Sequence, residues 1–307
     1  MTDVTSFGGQ RSRGDTTRLV IHADDVGLCH GANSAFVELS HQGVITAGSV
    51  MVPCPWFPEI ADLAARDDLL DVGVHLTLNA EKVNYRWRPV SGVGTSSGLV
   101  DAEGYLWHRV ADTRANAHPE AVETEWRAQI DTALAAGIDV THLDAHMGSA
   151  LGPEWCDRYI TIGIEYDIPV LITGALSMYG PNGHLADVTD VDFERFVAQA
   201  VSAGMPVFDE VLETDFSRPR GEPTAYESML TAPDVLAHDL VFCAFHPNAP
   251  GPGEIEVIEP DTWHVRTDEH RLFATDEWLT FLAAQSFKLT TMRELRAGYR
   301  LTTASHL

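Results

Sequence analysis

Short apolar, β-branched runs alternate with helix-period segments along most of the chain, and several of those runs break off abruptly into polar residues. Residues 18–25 (RLVIHADD) set the pattern. A run of this kind reads as a parallel strand buried on both faces, with its chemistry at the C-terminal end. Residues 31–42 follow with apolar groups at helical spacing (Ala32, Ala35, Phe36, Leu39), and Gly43 suits a C-terminal cap. The alternation then repeats, with strands predicted at 44–52, 72–78, 140–144, 169–173, 206–212, 239–245 and 287–290. Helices are predicted at 59–66, 119–136, 153–166, 191–203 and 268–284. About seven strand and helix units predict a parallel α/β fold, a closed or partly closed barrel. No internal repeat of about 20 to 50 residues is visible, which argues against a solenoid.

A barrel of this kind accommodates 307 residues as one unit, so a single domain over 18–307 is expected after a short disordered leader at 1–17. The 45 acidic against 20 basic residues give a formal charge of −25, which repels nucleic acid and anionic membrane surfaces. Cys29, Cys54, Cys156 and Cys243 lack any C-x-x-C spacing. That excludes a zinc ribbon, gives no disulfide framework and fits a reducing cytosol. No run approaches the roughly 20 apolar residues of a membrane span, and the first 17 residues hold no apolar stretch. A cytoplasmic, soluble protein is expected, and a homodimer is left open.

Three stretches interrupt the alternation: 79–112, 216–224 and 248–261, all rich in Gly or Pro. Long loops on a barrel sit over its mouth, where Tyr85, Trp87, Tyr105 and Trp107 suit stacking on sugar faces. Satellite core beneath a long loop is the competing reading of those rings.

The polar residues fall where a parallel sheet would gather them. Asp24 and Asp25, then His75, then His142, Asp144 and His146, then His246, each lie at or just past the end of a different predicted strand. Such ends converge on one face. Taken singly, each feature has an ordinary reading. An Asp pair caps helices or makes turns, and a lone strand histidine such as His75 is usually a hydrogen-bonded core residue. The same holds for His246 beside Pro247. Together they need a cation or protons to offset the adjacent carboxylates, and a metal is the simplest compensation. In T-H-L-D-A-H, alternation projects His142, Asp144 and His146 onto one side, as a metal site with supporting partners requires.

The set H-A-D-D-V-G, G-V-H-L-T-L-N, T-H-L-D-A-H and F-H-P-N, in this order over residues 18–248, resembles the YdjC-like carbohydrate deacetylases, which include the chitooligosaccharide deacetylases. The resemblance implies a deformed TIM-like (β/α) barrel and removal of an N-acetyl group from a small carbohydrate. It also implies one divalent metal held by Asp25, His75 and His146, with Asp24 as general base and His246 as general acid. His142 and Asp144 are candidates to orient His146 or the acid, with strand-end structural residues as the equal alternative. The chain departs from the family where it reads His146, Met147, Gly148 in place of a run of histidines, and at Pro169 to Ile172, where the family carries an arginine.

An Asp/His/His set leaves coordination positions open, as a catalytic metal needs. Nitrogen and oxygen ligands fit zinc, and magnesium, manganese or cobalt are alternatives. A backbone N–H in the loop from Cys54 to Trp56 is the expected partner for the tetrahedral oxyanion. Two competing readings are another metal-dependent amide or ester hydrolase on the same scaffold, and a sugar-binding relative without catalysis. The acidity and lack of a Gly-rich phosphate loop weigh against phosphate esters.

Overall fold

A computed structural model describes residues 16–179, 183–251 and 253–304. Among the described residues there are seven parallel strands: β1 (Arg18–Val26), β2 (Ala47–Val50), β3 (Val72–Leu76), β4 (Leu143–Ala145), β5 (Glu210–Glu213), β6 (Leu240–Phe245) and β7 (Lys288–Leu289). Six of them form an unbroken path in the order β4-β3-β2-β1-β6-β5, and β7 pairs with the start of β1. The path curls into a half-barrel. Every residue of β2, β3 and β6 is buried, because helices cover the outside while side chains fill the inside.

Of the closed or partly closed barrel expected from the alternation, the described residues form the partly closed one, a half-barrel. Residues 169–173, predicted as a strand, form no ladder. Leu143 bridges Val170 and Thr173 bridges Phe208, so this stretch spans the gap between β4 and β5 by isolated pairs. Pro169, which has no N–H, and Gly174 bracket it, leaving room for few ladder bonds. The predicted helix 268–284 is two helices, Trp263–Phe273 and Asp276–Ala284, and the Thr275 hydroxyl caps the second by accepting from Trp278 N at 3.1 Å. A further helix, Met292–Ala304, follows β7 where no element was predicted.

The expected leader at 1–17 lies outside the described residues except for its end. Thr17 is buried, and its hydroxyl donates to Leu236 O at 3.0 Å, so order begins before residue 18. All four cysteines are free and buried. Among the described residues no helix is long and apolar enough to cross a membrane.

The helix Pro119–Ala135 starts with Pro at its first position and turns Val122, Trp126, Ile130 and Ala133 onto the sheet. Two polar residues share that buried face. Gln129 accepts from Thr77 N and donates to Thr77 O, and Glu125 accepts from Val90 N and Ser91 N. They pin the chain leaving β3 and the long 79–112 stretch. That stretch also has its own apolar filling, with Trp87, Leu99 and Leu106 buried. Trp87 is therefore satellite core, its ring 6.3 Å from that of His146, and Trp107 is tied to Gly98 O through its indole N–H.

Candidate active site

Two neighbouring residues of a regular strand point to opposite faces, so Asp24 and Asp25 could share a pocket only if β1 breaks its register. It does so between Ala23 and Val26, where the pairing with β2 is irregular. Asp25 takes φ 58°, an uncommon left-handed conformation for a residue with a Cβ, and Gly27 at φ 92° completes the turn. Asn33 locks it by accepting from Gly27 N at 2.7 Å. Both carboxylates consequently line one cavity of about 720 Å³, with His75, His146 and His246.

The rings of His75 and His146 lie 5.3 Å apart, and both face Asp25. His75 Nε2 is 3.4 Å and His146 Nδ1 is 3.1 Å from Asp25 Oδ1. Each ring gives its other nitrogen to an outer partner. His75 Nδ1 faces Ser49 Oγ at 3.1 Å and Asp144 Oδ1 at 3.1 Å, while His146 Nε2 meets Glu81 Oε2 at 2.9 Å. That pattern frees one lone pair per imidazole toward the same point. Asp25 Oδ1 is itself buried with no aligned hydrogen bond. The three donor atoms lie within 4.8 Å of one another, and the group fits a divalent cation.

The electrostatics favour positive charge at this point. Burial alone would raise the Asp25 pKa, but Arg266 and His146 override it and hold the carboxyl well below the usual range. Burial opposes a charge on His146, yet Glu81 and Asp25 push its pKa up to about 9. His75 is raised likewise, against burial, mainly by Asp144.

Asp24 is held differently. Its Oδ1 accepts from His22 Nδ1 at 2.6 Å, leaving Oδ2 4.0 Å from His75 Nε2 and 3.8 Å from His246 Nε2. His22 Nε2 meets His142 Nε2 at 2.9 Å, and His142 Nδ1 faces the Thr141 hydroxyl at 3.0 Å. Gly73 makes room for that second ring, since a Cβ there would lie 2.5 Å from His142 Cε1. His142 thus supports Asp24 through His22, and Asp144 supports His75. Neither touches His146 or His246 through a hydrogen bond, contrary to the expected partners.

His246 Nδ1 faces the Thr214 hydroxyl at 2.8 Å, and that hydroxyl donates to Glu269 Oε1 at 2.6 Å. Glu269 Oε2 also accepts from His246 N at 2.7 Å. Burial pushes the His246 pKa down to about 4, despite Asp24 and Asp25 nearby. Burial thus favours the neutral ring, and because the Thr214 hydroxyl is given to Glu269, the tautomer that suits the contact is the one in which Nδ1 donates to Thr214.

A buried ionic chain closes the other side. Arg266 donates to Asp25 Oδ2 at 2.7 Å and to both oxygens of Glu259, and Lys82 pairs with Glu259 at 2.6 Å and Glu81 at 2.9 Å. Sequence reasoning missed these residues along with His22, Ser49, Thr214 and Glu269. His22 had a signal, its spacing of two from Asp24 on one strand. Arg266 and Glu269 had none, because a helix segment reading R-T-D-E-H looks like a solvated face. The loop from Cys54 to Trp56 supplies no oxyanion donor: Cys54 N is spent on Met51 O, Trp56 N on Gly27 O, and Pro55 has no N–H.

A parallel half-barrel with a carboxylate and two imidazoles converging at its strand ends defines a class of α/β proteins whose open pocket carries residues that could hold one cation. Residues 18–284 match the family model described as YdjC-like protein, and the chain belongs to that family. It is 35% identical over 153 residues to a carbohydrate deacetylase of Brevibacillus brevis, a match covering 50% of this chain and 58% of that protein. It is 24% identical over 279 residues to a carbohydrate deacetylase of Thermoanaerobacter pseudethanolicus, covering 91% of this chain and 99% of the relative. The chain thus aligns with little more than half of the first relative's length and nearly all of the second's. Its fold is similar to that of an Enterococcus faecalis V583 protein described provisionally as a cellobiose-phosphate cleavage protein. The TM-score is 0.70 at 20% identity, over 91% of this chain and 99% of that one.

Proposed function

We propose that the chain is a metal-dependent carbohydrate N-deacetylase that hydrolyses an acetamide on an N-acetylated mono- or oligosaccharide. The observation that carries this reading is the pair of imidazoles, each with one nitrogen held from outside and the other turned to Asp25 Oδ1 beside an open cavity. Kinship with proteins described as carbohydrate deacetylases supports an acetyl group on a carbohydrate. Asp25, His75 and His146 would hold a divalent cation, whose chemistry when bound would be to acidify a water and offset charge on the carbonyl oxygen. Zinc suits the donor set best, with magnesium, manganese and cobalt as the alternatives to assay.

Asp24 acts as the base. His22 occupies its Oδ1, so the proton of the attacking water goes to Oδ2. His246 rests neutral with its Nε2 lone pair toward Asp24, so it takes from Asp24 Oδ2 the proton removed from the water and gives it to the departing amine, which returns Asp24 to its carboxylate. Thr214 and Glu269 fix the tautomer that allows this. A recess of about 40 Å³ beside Asp24, lined by Leu151, Leu171, Val211 and Ala244, accommodates a methyl-sized group.

Phosphorylated sugars fit the pocket poorly, since Lys82 and Arg266 are already paired with Glu81, Glu259 and Asp25. The test is acetate release from N-acetylglucosamine and its short oligomers with each of the four metals after chelation. Metal-dependent acetate supports the reading. Tight sugar binding without acetate replaces it with a binding protein, and a different product with another hydrolase.

A further inference from the structure

Glu213 ends β5 at the pocket, one residue before the Thr214 that holds His246. It lines both the large cavity and the small recess, and Asp24 is the only other ionisable residue common to both linings. No hydrogen bond or ion pair is made by its side chain among the described residues, although the carboxyl is mostly withdrawn from water. Burial and the nearby Asp24 push its pKa up to about 7. The contrast with its neighbours is sharp. Glu81, Glu259 and Glu269 are each satisfied by a base, a hydroxyl or a backbone N–H.

A carboxyl left partly desolvated and unpartnered is a cost to the folded chain, recovered only when a donor arrives from outside. The donor's position follows from the junction. With Asp24 taking the proton of the water that attacks the acetamide and the methyl group in the recess, the sugar ring lies on the cavity side, against Glu213. Carbons flanking the acetamide there carry hydroxyls, each an O–H donor matched to a carboxylate.

We propose that Glu213 is a substrate-positioning residue whose carboxylate accepts hydrogen bonds from the sugar hydroxyls flanking the acetamide, and so selects a sugar over a simple acetamide. The proposal rests on the deacetylase reading for its orientation. Its test separates the two. Glu213→Ala and Glu213→Gln are compared with the wild-type metal-loaded protein by calorimetric binding of the β-linked N-acetylglucosamine dimer, by acetate release from it, and by thermal melting.

Glu213→Ala is expected to weaken dimer binding and raise KM by about 10- to 100-fold, with kcat within about threefold and metal content unchanged. Glu213→Gln, which keeps one acceptor oxygen, recovers part of the loss. Melting temperatures of both variants should equal or exceed wild type, because the carboxyl has no folded-state partner to lose. The gain is larger at pH 8 than at pH 5. A carboxyl whose folded pKa is raised from 4.5 to about 7 destabilises the native state progressively as pH climbs between those values, and the penalty is complete above the upper one.

Unchanged KM and affinity in Glu213→Ala would overturn the proposal, as would a lowered melting temperature or a kcat loss at constant KM. Glu213-dependent binding without acetate from the wild type would sink the deacetylase reading while leaving this assignment standing. Acetate release indifferent to Glu213 would do the reverse, and a wild type that neither binds nor cleaves the dimer removes both.

Discussion

Two adjacent clusters each combine one carboxylate with two histidines at metal-binding distances: Asp25, His75 and His146, and Asp144, His22 and His142. Their composition is the same and their chemistry is not. In the second cluster His22 spends one nitrogen on Asp24 and the other on His142, and His142 spends its remaining nitrogen on Thr141. Both of those rings are fully buried, and burial drives the His142 pKa down to about 3. A cation there would have to break an existing hydrogen-bonded chain. The first cluster leaves one nitrogen of each ring facing Asp25 Oδ1, with no other hydrogen-bond partner among the described residues, and opens on the cavity. Unspent ring nitrogens, more than residue types, mark the ligand site.

The strongest break of this comparison is to delete one imidazole from each cluster. His75→Ala should weaken binding of zinc by more than about 100-fold and abolish metal-dependent turnover, since even outer partners of a ligand contribute about 10- to 100-fold. His142→Ala should keep the metal. Equilibrium dialysis with metal analysis reads both, and metal lost only from His142→Ala would invert the assignment.

Asp24 stands between the clusters, and its variant is expected to come next in size. Asp24→Asn should retain metal, because the ligands are untouched, and lower acetate release by about 100- to 10,000-fold. A rate near wild type would mean that another group takes the proton. His22→Ala sharpens the same point at a smaller scale. Losing the donor to Asp24 Oδ1 frees the carboxylate to rotate, so kcat should fall about tenfold with KM and metal content nearly unchanged.

Much of this arrangement was legible in the sequence, because strand-end polar residues in a parallel sheet have one place to go. Asp24, Asp25, His75, His146 and His246 all line the cavity as the alternation requires. Which of the two expected forms, closed or partly closed, the barrel takes was not legible. Residues 169–173 are as apolar as a strand, and periodicity does not register that only isolated bridges form on either side. The partners Glu81, Lys82, Glu259 and Arg266 were hidden for another reason. They come from a loop and from helix segments whose charges resemble a solvated surface, and only tertiary contact turns them inward. The bulge at Asp25 was equally silent, though the requirement that neighbouring carboxylates share a pocket demands one.

The smallest expected effect concerns stability and contrasts the charge held by Arg266 with the one held by nothing but neutral donors. Glu269 accepts from the Thr214 and Tyr226 hydroxyls and from His246 N, with Arg266 contributing only weakly at a distance, and burial pushes its pKa up to about 7. Glu259, by contrast, is held down to about 2, because Arg266 and Lys82 override its burial. For a carboxyl raised from 4.5 to about 7 the folded state binds the extra proton between those values, so stability falls as pH rises through that window. Glu269→Gln removes the titration. The slope of unfolding free energy against pH between about 5 and 7 should flatten, by on the order of 1–3 kcal/mol over the window, as read from urea midpoints. A slope unchanged by the substitution would mean that Glu269 stays ionised in the folded protein, and that His246 is positioned by a charged carboxylate instead of a titrating one.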